Sequence, residues 1–216
     1  MSKADVIDTL VESAITVFAR EGYEGASLRE IAGEAGVALS AINLYFGTKM
    51  ELFISVTKTV YAEIDQERRA LFRAAEERFR PDPIPMADLI HALAFPVVRH
   101  ALSEDPHELD KLKLLVSHLS MISPMIDVID RAVVPWIEAM GLLYPTLTRE
   151  DRIWAFSYFT GTIYSWQLLN HRYDKMLGAA GLRSISAVTD EIVAFCSGGL
   201  SALVEQHQRA AERQAD

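Results

Sequence analysis

The sequence predicts an all-α protein of about nine helices. Three observations carry that expectation. Apolar residues recur at i, i+3 and i+4 along nearly the whole chain, which is the period of a helix. No alternating Val/Ile/Thr-rich run is bounded by Asn-Gly or Asp-Gly, so the signal of a hairpin is missing. Capping signatures and Gly or Pro breakers cut the chain into pieces of helical length.

The first piece runs from about Asp5 to Glu21, with Ile7, Leu10, Val11, Ala14, Val17 and Phe18 on one face. Gly22 sits where a left-handed cap belongs, with Arg20 in the last turn. The second opens at Ser27-Leu28-Arg29-Glu30. This is a capping box, in which the Ser27 hydroxyl accepts from the Glu30 amide and Glu30 reaches back. It stops at Ala35-Gly36. A third short helix covers Leu39 to Leu44. Thr48-Lys49-Met50-Glu51 is a second capping box. It opens a long amphipathic run carrying Leu52, Phe53, Val56, Val60, Ile64, Leu71 and Phe79, ended by Pro81-Asp82-Pro83-Ile84-Pro85. Five further helices are expected at 86–101 (kinked at Pro96), 107–122, 125–141 (with Pro135 inside), 149–171 and 185–208. Thr148, with Asp151 three residues on, starts the fourth of these. Residues 172–184, with Gly178 and Gly181, read as a loop. Residues 209–216 read as a frayed polar tail.

Composition excludes several classes of function. The 216 residues, 50% hydrophobic and 24% charged, suit one or two globular domains with a sizeable core. A lone cysteine, Cys196, excludes an internal disulfide framework and a multi-Cys zinc site, and reads as a small buried residue. The N-terminal segment does not have the pattern of a signal peptide. No stretch of 18 apolar residues free of charges and breakers is evident, so no membrane partner and a cytoplasmic location are expected. His91, His100, His107, His118, His171 and His207 form no i, i+4 pair, and neither metal nor cofactor is expected. There is no Ser/His/Asp set, phosphate loop or facing carboxylate pair, so the chain does not read as an enzyme. Arg68, Arg69, Arg73, Arg78 and Arg80 alternate with Glu67, Glu76 and Glu77, as on a solvated helix face.

Two short helices separated by Ala-Gly-Val, after a longer first helix, suggest a helix-turn-helix. Ala32 is small where the helices cross. Gly36 supplies a conformation that other residues adopt at a cost. Ile31, Val37 and Ile42 can point inward and clamp helix on helix. Residues 38 to 45 then project outward, where a major groove could receive them.

The run Ser27-Leu28-Arg29-Glu30-Ile31-Ala32, then Ala35-Gly36-Val37, then Ala41 to Leu52 resembles the DNA-binding signature of the TetR family of transcriptional regulators. The matched stretch covers about residues 5–55, and the Ala-Ile-Asn variant is similar to the PsrA-like regulators of fatty-acid metabolism. The resemblance implies that Ser27 caps the second helix and touches phosphate. It places Ala38, Leu39, Ser40 and Ala41 facing bases, Asn43 and Tyr45 at phosphates or base edges, and Lys49 at a phosphate. Helix N-termini suit such phosphate contacts.

The sequence departs from the family in places. The family often has Ser or Thr at position 38, whereas Ala38 cannot cap the third helix. Position 43, commonly Tyr, is Asn43, followed by Leu44. Residues 38–46 hold no Arg or Lys, so bidentate guanine readout from this helix is not available. Thymine-methyl contacts from Ala38, Leu39 or Ala41 remain, with hydrogen bonds from Ser40 or Asn43. Residues 1–50 carry four cations (Lys3, Arg20, Arg29, Lys49) against seven carboxylates, a balance of −3. The whole chain stands at −9. A shallow salt dependence of DNA binding follows.

The resemblance divides the chain into a helix-turn-helix domain at 1–47, a ligand-binding and dimerisation domain at 48–208 and the tail at 209–216. Helix 149–171 has bulky apolar residues on more than one face: Ile153, Trp154, Phe156, Tyr158, Phe159, Ile163, Tyr164, Trp166, Leu168 and Leu169. Helix 185–208 holds Gly198-Gly199, which cost helix stability unless something packs closely there. By resemblance these two helices form a homodimer interface; ordinary core packing is the alternative. A pocket is expected among helices 86–101, 107–122, 125–141 and 149–171. Its expected lining is Phe95, His118, Met121, Met125, Trp136, Tyr158, Trp166 and Asn170, with Met86, Met140 and Trp154 as further apolar candidates. Ser117, Ser120 and Gln167 are polar candidates. The mix suits a small, largely apolar effector with one polar head. The expected function is a ligand-responsive repressor that binds a palindromic double-stranded operator as a dimer. The alternative is a helical ligand- or protein-binding dimer with weak or lost DNA binding.

Overall fold

The structure, a computed structural model, describes residues 2–117, 126–177 and 183–215. Among these it contains α-helices and no strand. In order they are α1 (Lys3–Gly25), α2 (Leu28–Glu34), α3 (Leu39–Tyr45), α4 (Lys49–Phe79), α5 (Met86–Ala101), α6 (Pro106–Ser117), α7 (Ile126–Leu143), α8 (Arg149–Leu177) and α9 (Ile185–Ala215). The all-α expectation and its order of helices hold.

The chain packs as two compact units. Residues Met1–Ile64 and the chain around α6 form the first. Asp65–Leu102, α8, α9 and most of α7 form the second. Packing therefore divides the chain inside α4 rather than at residues 47/48. The reason lies in the apolar side chains of early α4: Leu52, Phe53, Val56 and Val60 are buried in the same cluster as α1 to α3.

In the first unit, Leu10, Ala14, Ile15, Val17 and Phe18 of α1 meet Ile31 and Ala32 of α2 and Ile42 of α3. Ile31 and Ile42 are fully buried, as the inward clamp requires. Leu114 of α6 joins this cluster, and α6 lies on α1. Its docking is reinforced by His107 Nε2, 2.7 Å from Glu12, and by Lys111 between Glu63 at 2.8 Å and Glu108 at 3.2 Å.

In the second unit, α5 packs on α8 and α9, and α8 on α9. Pro96 lies inside α5, where a proline opens the helical hydrogen-bond ladder. The buried Arg68 of α4 donates from Nε to the Leu93 carbonyl at 3.0 Å, just upstream of that kink. Arg99 and His100 both reach Glu67, at 2.7 and 3.0 Å.

Several local expectations change. α8 continues through the stretch read as a loop, to Leu177, because no Gly or Pro interrupts it before Gly178. α9 continues through the stretch read as a frayed tail, to Ala215. Within it, Ile185–Arg209 is long and apolar enough by composition to cross a bilayer, which the search for an uninterrupted apolar run passed over. Its central part is apolar and charge-poor, and its glycines are no break inside a helix.

Candidate nucleic-acid interface and effector pocket

Backbone conformation at three glycines shapes the first unit. Gly22, Gly36 and Gly47 have φ of 69°, 65° and 81°. A side chain would be strained at each. Nothing lies within 4 Å of a Cβ built on Gly36, so conformation alone demands glycine in this turn.

Caps then fix the short helices. The Ser27 hydroxyl accepts from the Glu30 amide at 3.1 Å. Glu30 does not complete the expected reciprocal box: its carboxylate turns to Arg20, 2.6 Å away, where an ion pair competes for it. The Thr48–Glu51 box is complete. Glu51 accepts from the Thr48 amide at 2.8 Å, and the Thr48 hydroxyl accepts from the Glu51 amide at 3.2 Å. The Thr48 hydroxyl, which also donates to the Glu51 carboxylate at 2.8 Å, and the Thr48 amide together hold that carboxyl below its ordinary range. Ala38 occupies the cap position of α3 in extended conformation and makes no side-chain cap bond.

With Ile42 turned wholly inward, α3 presents Ala38, Leu39, Ser40, Asn43 and Leu44 to solvent. This includes the expected base-facing residues except Ala41, which is half-buried against the core. Tyr45 also packs partly on the core, with the Lys3 ammonium 5.8 Å from its ring centre. Leu44 was missed as a surface reader. It is 75% exposed, and its i+4 relation to Ser40 was the signal available.

The cations are unevenly available. Phe18, Tyr23 and Phe53 form an aromatic cluster, with Phe53 edge-on to both others at 5.1 Å. Tyr23 sits beneath the Lys49 ammonium at 4.6 Å, and Lys49 also donates to the Glu24 carbonyl at 3.3 Å. Arg20 is bonded to Glu21 at 2.8 Å and to Glu30. Three of the four cations, Lys3, Arg20 and Lys49, are thus engaged within the chain, while Arg29 stands exposed. An anionic duplex meets a reading face without its own positive charge.

The second unit separates the expected pocket residues. Trp136 is buried and shares a tight apolar void of about 10 Å³ with Met86, Leu89, Ile90, Leu93, Met140, Phe156 and Phe159. Phe95 is half-buried and stacked on His91 at 5.3 Å, outside that lining. Tyr158 and Trp166 instead line a shallow outward groove of α8 with Ser157, Gly161, Thr162 and Ser165. Helical phase decides this: Phe156, Phe159 and Ile163 take the inner face. His118, Ser120, Met121 and Met125 lie outside the described residues, as do the side chains of Ser117 and Asn170.

Phe72 packs edge-on against Trp136 at 5.0 Å. Phe72 also lines an open cleft of about 420 Å³, walled by the end of α4, the 80–84 turn and α7. That volume lies in the range of small-molecule sites. Among the described residues no cluster of His, Cys, Asp or Glu is suited to hold a metal. Cys196 is buried on α9; burial pushes its thiol up, partly offset by a hydrogen bond with Thr162.

Comparison with known proteins agrees with this geometry. Residues 10–56 match the family model of bacterial regulatory proteins of the tetR family. The chain is 36% identical over 64 residues to the HTH-type transcriptional repressor NicS of Pseudomonas putida, a match covering 30% of each chain. It is 25% identical over 176 residues to the fatty acid metabolism regulator protein of Bacillus subtilis, covering 76% of this chain and 85% of that one. A crystal structure of a TetR-like transcriptional regulator from Rhodococcus sp. RHA1 superposes with TM-score 0.64 at 16% identity, over 93% of this chain and 98% of that one. This last likeness concerns the fold. The signature residues, the geometry around α3 and the family match agree: residues 10–56 form a DNA-binding region of the tetR family type, while the chain spans less than two thirds of the length of the first curated relatives that it matches.

Proposed function

We propose that the protein is a ligand-responsive transcriptional repressor that binds a palindromic operator as a homodimer and is released by a small, largely apolar molecule. One observation carries the DNA-binding part. A fully buried Ile42 turns Ala38, Leu39, Ser40 and Asn43 outward together from the second helix of a helix-turn-helix. Ser27, Tyr45 and Lys49 serve as phosphate contacts around that face, with half-buried Ala41 beneath it.

Dimerisation is supported by surfaces that the single chain leaves open. On α8, Trp154, Tyr158, Gly161, Ser165 and Leu168 are exposed and recur at spacings of four and three, the pattern of a helix–helix seam. On α9, Phe195 is 72% exposed beside Gly198 and Gly199. A two-fold dimer sets two reading heads about 34–36 Å apart. Tyr158 and Trp166 belong to this surface rather than to the pocket.

The effector reading rests on Trp136 and its neighbours. The void beside Trp136 is small in this conformation, and Phe72, packed on Trp136, lines the cleft. A molecule that displaces Phe72 gains an apolar lining rich in adaptable Met. Such a ligand shifts the population of conformers to the extent that it prefers the opened pocket. The fatty-acid regulator among the relatives makes acyl-chain compounds the first to screen, in line with a PsrA-like subgroup. A cytoplasmic location follows from the role.

Fluorescence anisotropy tests the reading, using DNA from upstream of the coding region, a scrambled control and two salt concentrations. Binding to the native duplex alone, with a shallow loss at the higher salt, is expected. A slope of log K against log salt near −10 refutes the picture of few phosphate contacts. Absence of any preferred duplex after selection from random sequences favours the alternative, a ligand-binding dimer, which the acidic first unit makes a specific competitor.

A further inference from the structure

We propose that Leu44, with Leu39 at the start of the same helix, selects operators by packing on thymine 5-methyl groups. The inference rests on the DNA-binding reading above and specifies its chemistry. Leu44 is 75% exposed and Leu39 is 38% exposed, on a short helix whose remaining outward side chains are Ala38, Ser40 and Asn43. Neither leucine contributes to the core of the first unit. What singles out these two leucines is their place, on the outward face of the second helix of the helix-turn-helix, rather than exposure alone.

The major groove offers them one apolar partner. Guanine, cytosine and adenine edges present donors and acceptors, and only thymine presents a methyl group. The face also lacks competing chemistry. Residues 38–46 hold no Arg or Lys to anchor on guanine and no carboxylate to accept from cytosine. Ser40 and Asn43 can fix register by hydrogen bonds, with Asn43 suited to adenine. In one T·A base pair the methyl and the adenine edge both face the major groove. A helix face offering leucines and one amide therefore reads A·T pairs more strongly than G·C pairs. Leu44 lies one residue after Asn43, so both can address adjoining base pairs.

The experiment uses the full-length protein and an operator obtained by selection from random duplexes. Thymines in each half-site are replaced one at a time by uracil, which deletes the methyl and keeps every hydrogen-bonding group. Burial of one methyl group corresponds to about a fourfold change in affinity. At least one uracil position per half-site is expected to weaken binding about fourfold. Leu44→Ala is expected to weaken binding to the thymine duplex and to leave the uracil duplex nearly unchanged. Leu44 is exposed, so the variant folds as the parent does; circular dichroism and a melting curve check this. Leu39→Ala gives the second arm, mapped to its own thymine.

The proposal is overturned if no uracil substitution changes affinity. It is overturned equally if Leu44→Ala weakens thymine and uracil duplexes by one factor, which would mean backbone packing. A selected operator with G·C pairs across the positions facing α3 also overturns it. Failure to select any operator is a different result, since it removes the DNA-binding reading itself.

Discussion

Replacing Gly198 and Gly199 together by Ala distinguishes a surface helix from an interface helix. Nothing lies within 4 Å of a Cβ built at either position within the chain, so the isolated protomer accommodates both methyl groups. Both residues sit inside α9 with its helical pattern intact. Each Gly→Ala change should therefore stabilise the protomer by about 0.8–1 kcal/mol through helix propensity. This gain is present in monomer and dimer alike and cancels from the dimer dissociation constant. What remains is the packing term. Overfilling a close contact costs about 1–3 kcal/mol, and a two-fold axis presents it twice. The dissociation constant should rise at least thirtyfold, on the order of 2 kcal/mol or more. Sedimentation equilibrium over a concentration series measures it. Thermal melting at low and high protein concentration separates the two effects: the dilute sample shows the full propensity gain, and the gain shrinks in the concentrated one by the packing loss. An unchanged or tighter dimer, with the same gain at every concentration, refutes the assignment of this face to the dimer.

Three other outcomes follow from the structure. Ala38 already has the extended backbone of a cap residue, so Ala38→Ser should stabilise the first unit by about 0.5–2 kcal/mol in urea denaturation; no gain refutes the capping account. The Cys196 thiol, pushed up by burial, should resist a thiol reagent at neutral pH and react at the ordinary rate after unfolding; fast reaction of the native protein contradicts the burial. Glu51 has a folded pKa below its ordinary 4.5, so its capping contribution is present above that value and lost as pH falls through the lower folded one. The stability gap between the parent and Glu51→Gln should accordingly narrow on acidification, and a constant gap across that window would count against it.

Much of the first unit was legible in the sequence because local chemistry specifies it. The Thr48–Glu51 cap, the glycine turn at Gly36 and the inward clamp of Ile31 and Ile42 depend on residues close in the chain. Glu30 shows the limit. Its position fits a capping box, yet Arg20, ten residues earlier, captures its carboxylate. The pocket was less legible for the same reason. On a helix that is apolar all round, composition does not say which aromatic residues face inward, and α8 sends Phe159 in and Tyr158 out. The continuation of α8 to Leu177 needed only the lack of a breaker, a weaker signal than the two glycines that follow. Leu44 was legible in position but carried no polar group to draw attention.

The three cations already engaged within the first unit, Lys3, Arg20 and Lys49, bear on how such a protein would find its site under the proposed function. A chromosome offers on the order of 10⁶–10⁹ competing positions, and a strongly basic reader spends its time parked on them. A head with a balance of −3 has little reason to linger at the wrong address. Under the proposed function, most copies would stay free in solution and sample DNA by brief collisions. A modest affinity for the right sequence would then suffice for occupancy, and a small rise in effector concentration would empty the site quickly because few copies wait nearby to rebind.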